Sequence, residues 1–307
     1  MSTTDRFDGI FTALVTPFTE SDDIDWPAFD ALVERQLEAG VSGLVPVGTT
    51  GEAATLTEDE ALALIERTVR RVDGRAYVLA GTGSNATVKA IKATKRAADA
   101  GVDGVLLVTP YYNKPSQQGL IAHFEAVADC ADVDNVLYSV PGRTGIAIEP
   151  ETAAALARSR PNIRCIKEAG GDPGRVTALR RACGEDFSVH CGDDGLALPF
   201  FALGACGLTS ILSNYDPEIC VALYDAWRKR DQDLALTLHE MVAPLAAAMF
   251  IESSPSPVKH ALATDGLMTD RVRLPLSGLQ EASAVSLAKT VERYRIHRQA
   301  YLGTVLN

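Results

Sequence analysis

The stretch GVLLVTPYY, residues 104–112, starts with a continuous apolar run and ends in a loop of hydroxyl-bearing side chains. A run that is apolar at every position, and not at every second one, fits a strand buried on both faces of a parallel sheet. Working outward, comparable runs recur at 9–15, 43–47, 76–80, 135–140, 163–166, 187–191 and 207–212, with starts about 20 to 34 residues apart. The segments between them repeat apolar residues at helical spacing. Trp26, Phe29, Val33 and Leu37 form one such face, with Pro27 suited to a first helical turn. Leu62, Ile65, Val69 and Val72 form a second, behind a capping box of Thr57 and Glu60. Val88, Ile91 and Ala98 predict a third face, and Leu120, Phe124 and Val127 a fourth. Eight strand–helix units predict an α/β fold, a (β/α)8 TIM barrel filling residues 1–225. No G-x-G-x-x-G opens the first helix, which disfavours an open doubly wound sheet. Beyond 225 the strand signals stop, and helices are expected at 231–251, 256–265 and 277–302. Residues 226–307 therefore read as a helical appendage, and no flexible linker separates it from the barrel.

Composition narrows the function classes. The 307 residues are 47% hydrophobic and 22% charged, as in an ordinary globular protein. The net charge is −11 with no concentration of Lys or Arg, which argues against non-specific binding to nucleic acid or anionic membranes. MSTTDRFDG carries no basic-then-apolar leader, and the longest apolar run, 241–251, is broken by Pro244 and too short for a bilayer. Cysteines 130, 165, 183, 191, 206 and 220 show neither C-x-x-C nor histidines at zinc spacing. A reduced, cytoplasmic protein without a metal site is expected, with Cys165, Cys191 and Cys206 as buried thiols.

Barrels carry their chemistry at the C-terminal ends of the strands, and here those ends are rich. Thr16-Pro17 follows the first run and Gly48-Thr49-Thr50-Gly51-Glu52 the second. Thr109 to Tyr112 follow the fourth, Tyr138 to Arg143 end the fifth, and Gly192-Asp193-Asp194 end the seventh. The sixth, in IRCIKEAGGD (163–172), closes on Lys167 among apolar neighbours. Burial disfavours a charged ammonium, an advantage if the amine must be neutral to attack a carbonyl and form an imine. The plainer reading pairs Lys167 with Glu168 at a strand end. GTTGE offers hydroxyls and backbone N–H groups to a small carboxylate, or simply a turn before a helix. Tyr138 and Tyr112 suit a proton relay, or a core and a rim position. Arg143, in a loop with Pro141, presents a carboxylate fork or an ordinary surface charge. Asp193-Asp194 reads as a helix cap in preference to a metal site, and His190 and His239 read as structural. Taken together, the lysine, the hydroxyl loops and the arginine on one barrel face suggest class I aldolase chemistry on an α-keto acid.

Gly48–Glu52, TPYYNKPSQQGLIAHF (109–124), LYSVPGRTG (137–145), IKEAGGD (166–172) and SPSPVKHAL (254–262) together resemble the dihydrodipicolinate synthase family. That family lies within the pyruvate-dependent N-acetylneuraminate lyase superfamily, and the match runs in order along essentially the whole chain. The resemblance implies condensation of pyruvate with L-aspartate 4-semialdehyde towards diaminopimelate and lysine, through a lysine imine and with no cofactor. It implies that Lys167 forms the imine, that Thr50 with Gly48 and Gly51 holds the pyruvate carboxylate, and that Tyr138, Thr49 and Tyr112 relay protons. Tyr112 would reach the site of an adjacent subunit in a homo-oligomer, a dimer of dimers. Arg143 would bind the aldehyde's carboxylate, and Gly192 would contribute a backbone contact. Ser139 and Thr209 depart from the family's usual asparagine and isoleucine or valine. Thr209, on the eighth strand, is therefore kept as a substrate-side position. These departures leave a related keto-acid lyase, such as a 4-hydroxy-2-oxoglutarate aldolase, as the alternative. A catalytically idle keto-acid sensor is disfavoured by the presence of Lys167 and Tyr138. In lysine-sensitive relatives the effector pocket corresponds to Ala54, Glu58, Ala61, Asn85, Lys89 and Tyr111. Here Glu58 and Ala61 replace histidines and Lys89 replaces an acid, so weak or absent feedback is expected.

Overall fold

The computed structural model describes residues 5–305. Eight parallel strands close into a barrel in chain order. They are β1 (Gly9–Ala13), β2 (Gly43–Val45), β3 (Tyr77–Gly81), β4 (Gly104–Val108), β5 (Asp134–Ser139), β6 (Ile163–Glu168), β7 (Ser188–Cys191) and β8 (Gly207–Ser210). Around them run α1 (Trp26–Glu38), α2 (Glu58–Val72), α3 (Thr87–Asp99), α4 (Gln117–Ala128), the one-turn α5 (Pro141–Thr144), α6 (Pro150–Ser159), α7 (Gly174–Cys183), α8 (Ala197–Ala202) and α9 (Pro217–Arg228). The barrel's last helix thus continues three residues past the boundary expected at 225. The Thr57–Glu60 capping box forms, with Glu60 N–H donating to Thr57 Oγ1 at 3.2 Å and Thr57 N–H to Glu60 Oε2 at 2.8 Å.

Period-two alternation sorts the strand residues into two layers. Phe11, Val45, Leu79, Leu106, Val136, Tyr138 and Cys165 fill the barrel interior, joined by Phe7 from the preceding turn. Ile10, Leu44, Val78, Val105, Leu107, Leu137 and Ile166 face the helices. One expected helix face is corrected. On α3 the buried stripe is Ala90, Thr94 and Ala97, while Val88 is 79% exposed. The Thr94 hydroxyl lies 2.9 Å from that of Thr82 just after β3, and this buried polar contact, with two alanines that admit close approach, sets the helix's rotation.

The C-terminal chain adds α10 (Gln232–Ala248), α11 (Ser256–Thr264) and α12 (Glu281–Val305). Leu238, Val242 and Leu245 of α10 and Leu287, Val291 and Tyr294 of α12 belong to the same hydrophobic cluster as the barrel's outer layer. Asp216 at the head of α9 accepts from Tyr294 Oη at 2.8 Å and also pairs with Arg298, tying α12 to the barrel. The segment between α11 and α12 brings Pro275 and Leu276 to the cavity at the barrel mouth. Among the described residues no helix is long and apolar enough to cross a membrane.

Candidate active site

Lys167 lies at the C-terminal end of β6, 6% exposed, opposite Tyr138 of β5 in register. Its Nζ stands 4.3 Å from the Tyr138 ring centroid. Among the described residues the ammonium has no hydrogen-bond acceptor and no ion-pair partner. The pairing of Lys167 with Glu168 does not occur. Consecutive strand residues point to opposite faces, so Glu168 projects outward, accepting from Arg175 Nε at 2.9 Å and from Gly170 N–H at 2.8 Å. Burial raises the Glu168 pKa, and Arg175 opposes that rise. Gly192 follows β7 beside the lysine. A Cβ there would sit 2.7 Å from Ala169 Cβ and 3.1 Å from Lys167 Cε, so only glycine leaves the lysine stem its path.

The turn after β2 is built to present donors. Gly51 N–H and Ala53 N–H both return to Gly48 C=O, at 3.1 and 3.3 Å, and Glu52 N–H returns to Thr49 C=O at 3.1 Å. Val47 and Glu52 adopt left-handed backbone, φ 58° and 57°, a conformation unfavourable for both residue types. Gly51 is close-packed: a Cβ would meet Leu14 O at 3.1 Å and Val47 N at 3.2 Å. Among the described residues, neither the backbone N–H groups nor the hydroxyls of Thr49 and Thr50 have a hydrogen-bond partner. Unpaired donors of this kind suit a carboxylate; Gly48 and Thr49 line the cavity above the turn, whereas Thr50 is buried and does not.

A cavity of about 360 Å3 opens over this turn. Gly48, Thr49, Tyr138 and Arg143 line it, with Leu106, Val108 and Val140 as its apolar wall. Arg143 is held on α5, whose Thr144 hydroxyl bridges Val140 C=O at 3.1 Å and Ile146 C=O at 2.9 Å. Ser139 Oγ, fully buried, accepts from Ile148 N–H at 3.3 Å, so this departure from the family pattern anchors the arginine's loop. The Tyr138 and Thr49 hydroxyls share the cavity without a hydrogen bond between them. Tyr112 stands apart, 91% exposed with φ 72° and outside the cavity of its own chain. Thr209 lies inside the barrel, 1% exposed, its hydroxyl 3.1 Å from His190 Nδ1. His190 stacks on Phe11 at 4.9 Å and approaches Phe7 C=O through Nε2. Burial lowers its pKa to about 4, against the pull of the Phe7 carbonyl. Asp193 caps the turn that follows by accepting from Gly195 N–H at 2.9 Å, and Asp194 is buried against Ser210, Ile211 and Leu212. Among the described residues no cluster of His, Cys, Asp and Glu could hold a metal ion.

A second cavity of about 300 Å3 lies beside the first, and all six positions of the expected effector pocket line it: Ala54, Glu58, Ala61, Asn85, Lys89 and Tyr111. Ala54 and Tyr111 line both cavities.

One group near the site escaped the sequence reading. Lys259 of α11 is completely buried and donates to Glu52 Oε1 at 2.7 Å and to Thr16 C=O at 2.8 Å. Burial lowers the Lys259 pKa, while Glu52 acts to raise it. The two residues are 207 positions apart, so no periodicity relates them; an isolated lysine inside the apolar start of a helix was the available signal.

The dihydrodipicolinate synthetase family model matches residues 6–294. The chain is 45% identical over 288 residues to the 4-hydroxy-tetrahydrodipicolinate synthase of Pelobacter propionicus, covering 94% of this chain and 99% of that one. The structure of the 4-hydroxy-tetrahydrodipicolinate synthase from Methylacidiphilum fumariolicum SolV superposes with a TM-score of 0.93 at 43% identity, covering 95% of this chain and 97% of the other. A chloride-inhibited dihydrodipicolinate synthase from Acinetobacter baumannii, complexed with pyruvate, gives 0.92 at 40% identity, with 94% and 99% covered. The chain belongs to the dihydrodipicolinate synthetase family.

Proposed function

We propose that the protein is a 4-hydroxy-tetrahydrodipicolinate synthase, a lyase that condenses pyruvate with L-aspartate 4-semialdehyde on the route to diaminopimelate and lysine. The observation that carries this reading is the Lys167 amine, buried, without a polar partner and beside Tyr138, which lines a cavity together with Thr49 and Arg143.

The neutral amine of Lys167 attacks C2 of pyruvate, and the carbinolamine loses water to give an imine. Thr50, with the Gly48–Gly51 backbone, holds the carboxylate so that C2 faces the amine. Tyr138 and Thr49 carry protons to and from the carbinolamine oxygen. Their missing hydrogen bond is compatible with a site that tightens around substrate. The protonated imine accepts the electron pair left when the methyl group loses a proton, so the chemistry calls for no cofactor. The resulting enamine carbon attacks the aldehyde of the second substrate, whose carboxylate meets the guanidinium of Arg143. The amino group of that substrate then displaces Lys167 from the imine carbon, closing the ring and freeing the enzyme. One water leaves per condensation.

Tyr112 takes part in this relay only in a neighbouring subunit's site. Its near-complete exposure and left-handed backbone suit a residue held by an interface, so we place the active unit in a homo-oligomer. The six free thiols fit a reducing, cytoplasmic setting. Borohydride reduction in the presence of pyruvate should leave a stable adduct on the peptide containing Lys167. Labelling elsewhere, or undiminished labelling in Lys167→Ala, would overturn the reading.

A further inference from the structure

The turn that presents Thr49 and Thr50 is held by residues far away in the chain. Thr16 Oγ1 donates to Gly51 C=O at 2.7 Å, and Lys259 Nζ donates to Thr16 C=O at 2.8 Å. The same Nζ donates to Glu52 Oε1 at 2.7 Å, while Glu52 Oε2 accepts from Arg273 N–H at 2.9 Å. Arg273 in turn pairs with Glu60 at the head of α2 and stacks over Phe18, 4.3 Å from the ring centroid. Lys259 stacks over that same ring at 4.4 Å. Both carboxylate oxygens of Glu52 are thereby engaged by groups outside the barrel. The left-handed backbone of Glu52 persists only if surrounding contacts enforce it, and its side-chain contacts to Lys259 and Arg273 add to the backbone bonds it makes with Thr49 and Thr55.

We infer that Lys259 is a positioning residue for the keto acid's carboxylate: through Glu52 and Thr16 the C-terminal helical region fixes the 48–52 turn so that its donors converge. This inference rests on the reading that the turn holds the carboxylate of pyruvate. It assigns a role in substrate binding to a region outside the barrel, and to a lysine that never touches substrate.

The test is borohydride trapping at graded pyruvate concentrations, with hydroxyacetone, a ketone lacking the carboxylate, as the control substrate. In Lys259→Met the pyruvate concentration for half-maximal adduct should rise by roughly 10-fold or more, as for a lost charge-assisted hydrogen bond. Trapping of hydroxyacetone should be unchanged. Lys259→Arg, which keeps the charge, should recover most of the pyruvate affinity. Should Lys259→Met fail to fold, Thr16→Val removes the other strut with little change of volume and should raise the same half-saturation value. Adduct that saturates at wild-type pyruvate in a folded variant overturns the inference, as does an equal loss with pyruvate and hydroxyacetone. Failure of the wild-type chain to form any adduct would instead remove the imine reading on which it depends.

Discussion

Lys167 and Lys259 are both buried, 6% and 0% exposed, and both lie over an aromatic ring, Tyr138 at 4.3 Å and Phe18 at 4.4 Å. What separates them is hydrogen bonding. Lys259 reaches a carboxylate and a carbonyl; Lys167, among the described residues, reaches neither. A buried ammonium with satisfied partners is chemically quiet and holds structure. One left without them remains available to an electrophile. Burial alone therefore does not mark a reactive lysine.

The largest expected effect breaks the comparison into its two halves. Lys167→Met should abolish adduct formation and turnover while leaving stability unchanged or raised, because a buried polar group without a hydrogen-bond partner is removed. Lys259→Met should instead cost about 3–5 kcal/mol of unfolding free energy, since Glu52 is left buried without its counter-ion. Denaturant unfolding of both variants, beside an activity assay, checks the crossing. Equal destabilisation by the two substitutions would show that the ammonium of Lys167 is also held by the fold. The double change Lys259→Met with Glu52→Gln should regain part of the loss, because no buried charge is then left alone.

His190 sharpens the picture as a third buried base, in register with Lys167 across β6 and β7. Its pKa falls from the usual 6.5 to about 4, chiefly through burial. Between those values the unfolded chain takes up a proton that the folded chain refuses. Stability contributed by the neutral imidazole is thus full above pH 6.5 and declines as pH drops towards 4, by up to roughly 3 kcal/mol. Unfolding curves across this range should be flatter for His190→Gln than for the parent. Parallel curves would place the proton uptake on other groups.

Much of this was legible in the sequence because strand chemistry is local. The continuous apolar run 104–108 and its counterparts located all eight strands, and the ends of those strands carry the cavity-lining Thr49, Tyr138 and Arg143. Alternation along IRCIKE would also have excluded the Lys167–Glu168 pair, since neighbours on a strand face opposite ways. The helix faces were less secure: on α3 a threonine hydroxyl, not a valine, turned inward, because Thr82 offered it a partner that no periodicity announces. Contacts across the chain were invisible for the same reason. Glu52 read as the last letter of a loop motif, although its two oxygens bind a helix and a segment more than 200 residues away.

Arg143 gives the next smaller effect and tests the division of labour between the imine end and the second substrate. Arg143→Ala should lower kcat/KM for aspartate semialdehyde by about 10-fold or more, the equivalent of a charge-assisted hydrogen bond worth about 1.5–3 kcal/mol. The pyruvate adduct on Lys167 should form as before. Unchanged efficiency with the semialdehyde would favour the related keto-acid lyase.

The smallest effect concerns a third lysine, Lys89, exposed on α3 and lining the second cavity with the five other effector positions. An L-lysine molecule there would need an acid for its ammonium. Glu58 is the acidic residue lining that cavity, and it is already engaged by Lys92 at 2.6 Å and Arg96 at 3.6 Å. The hydrogen bond from Lys92 is the main reason that the Glu58 pKa lies below its usual value. Glu58 has not turned towards Lys89, so no acidic site is rebuilt. Two ammonium groups about 4 Å apart repel by roughly 1 kcal/mol in water and up to about 4 kcal/mol near a protein surface. The missing charge-assisted bond adds about 1.5–3 kcal/mol, and every 1.4 kcal/mol is tenfold in affinity. Half-inhibition by L-lysine at subsaturating pyruvate should therefore lie above about 1 mM, the concentration equivalent to about −4 kcal/mol of binding. Lys89→Glu should bring it down. Sub-millimolar inhibition of the parent chain would mean that Glu58 leaves Lys92 when ligand arrives. Unaltered insensitivity in Lys89→Glu would shift the defect to positions 58 and 61, where Glu58 and Ala61 lack the ring nitrogens of the histidines they replace.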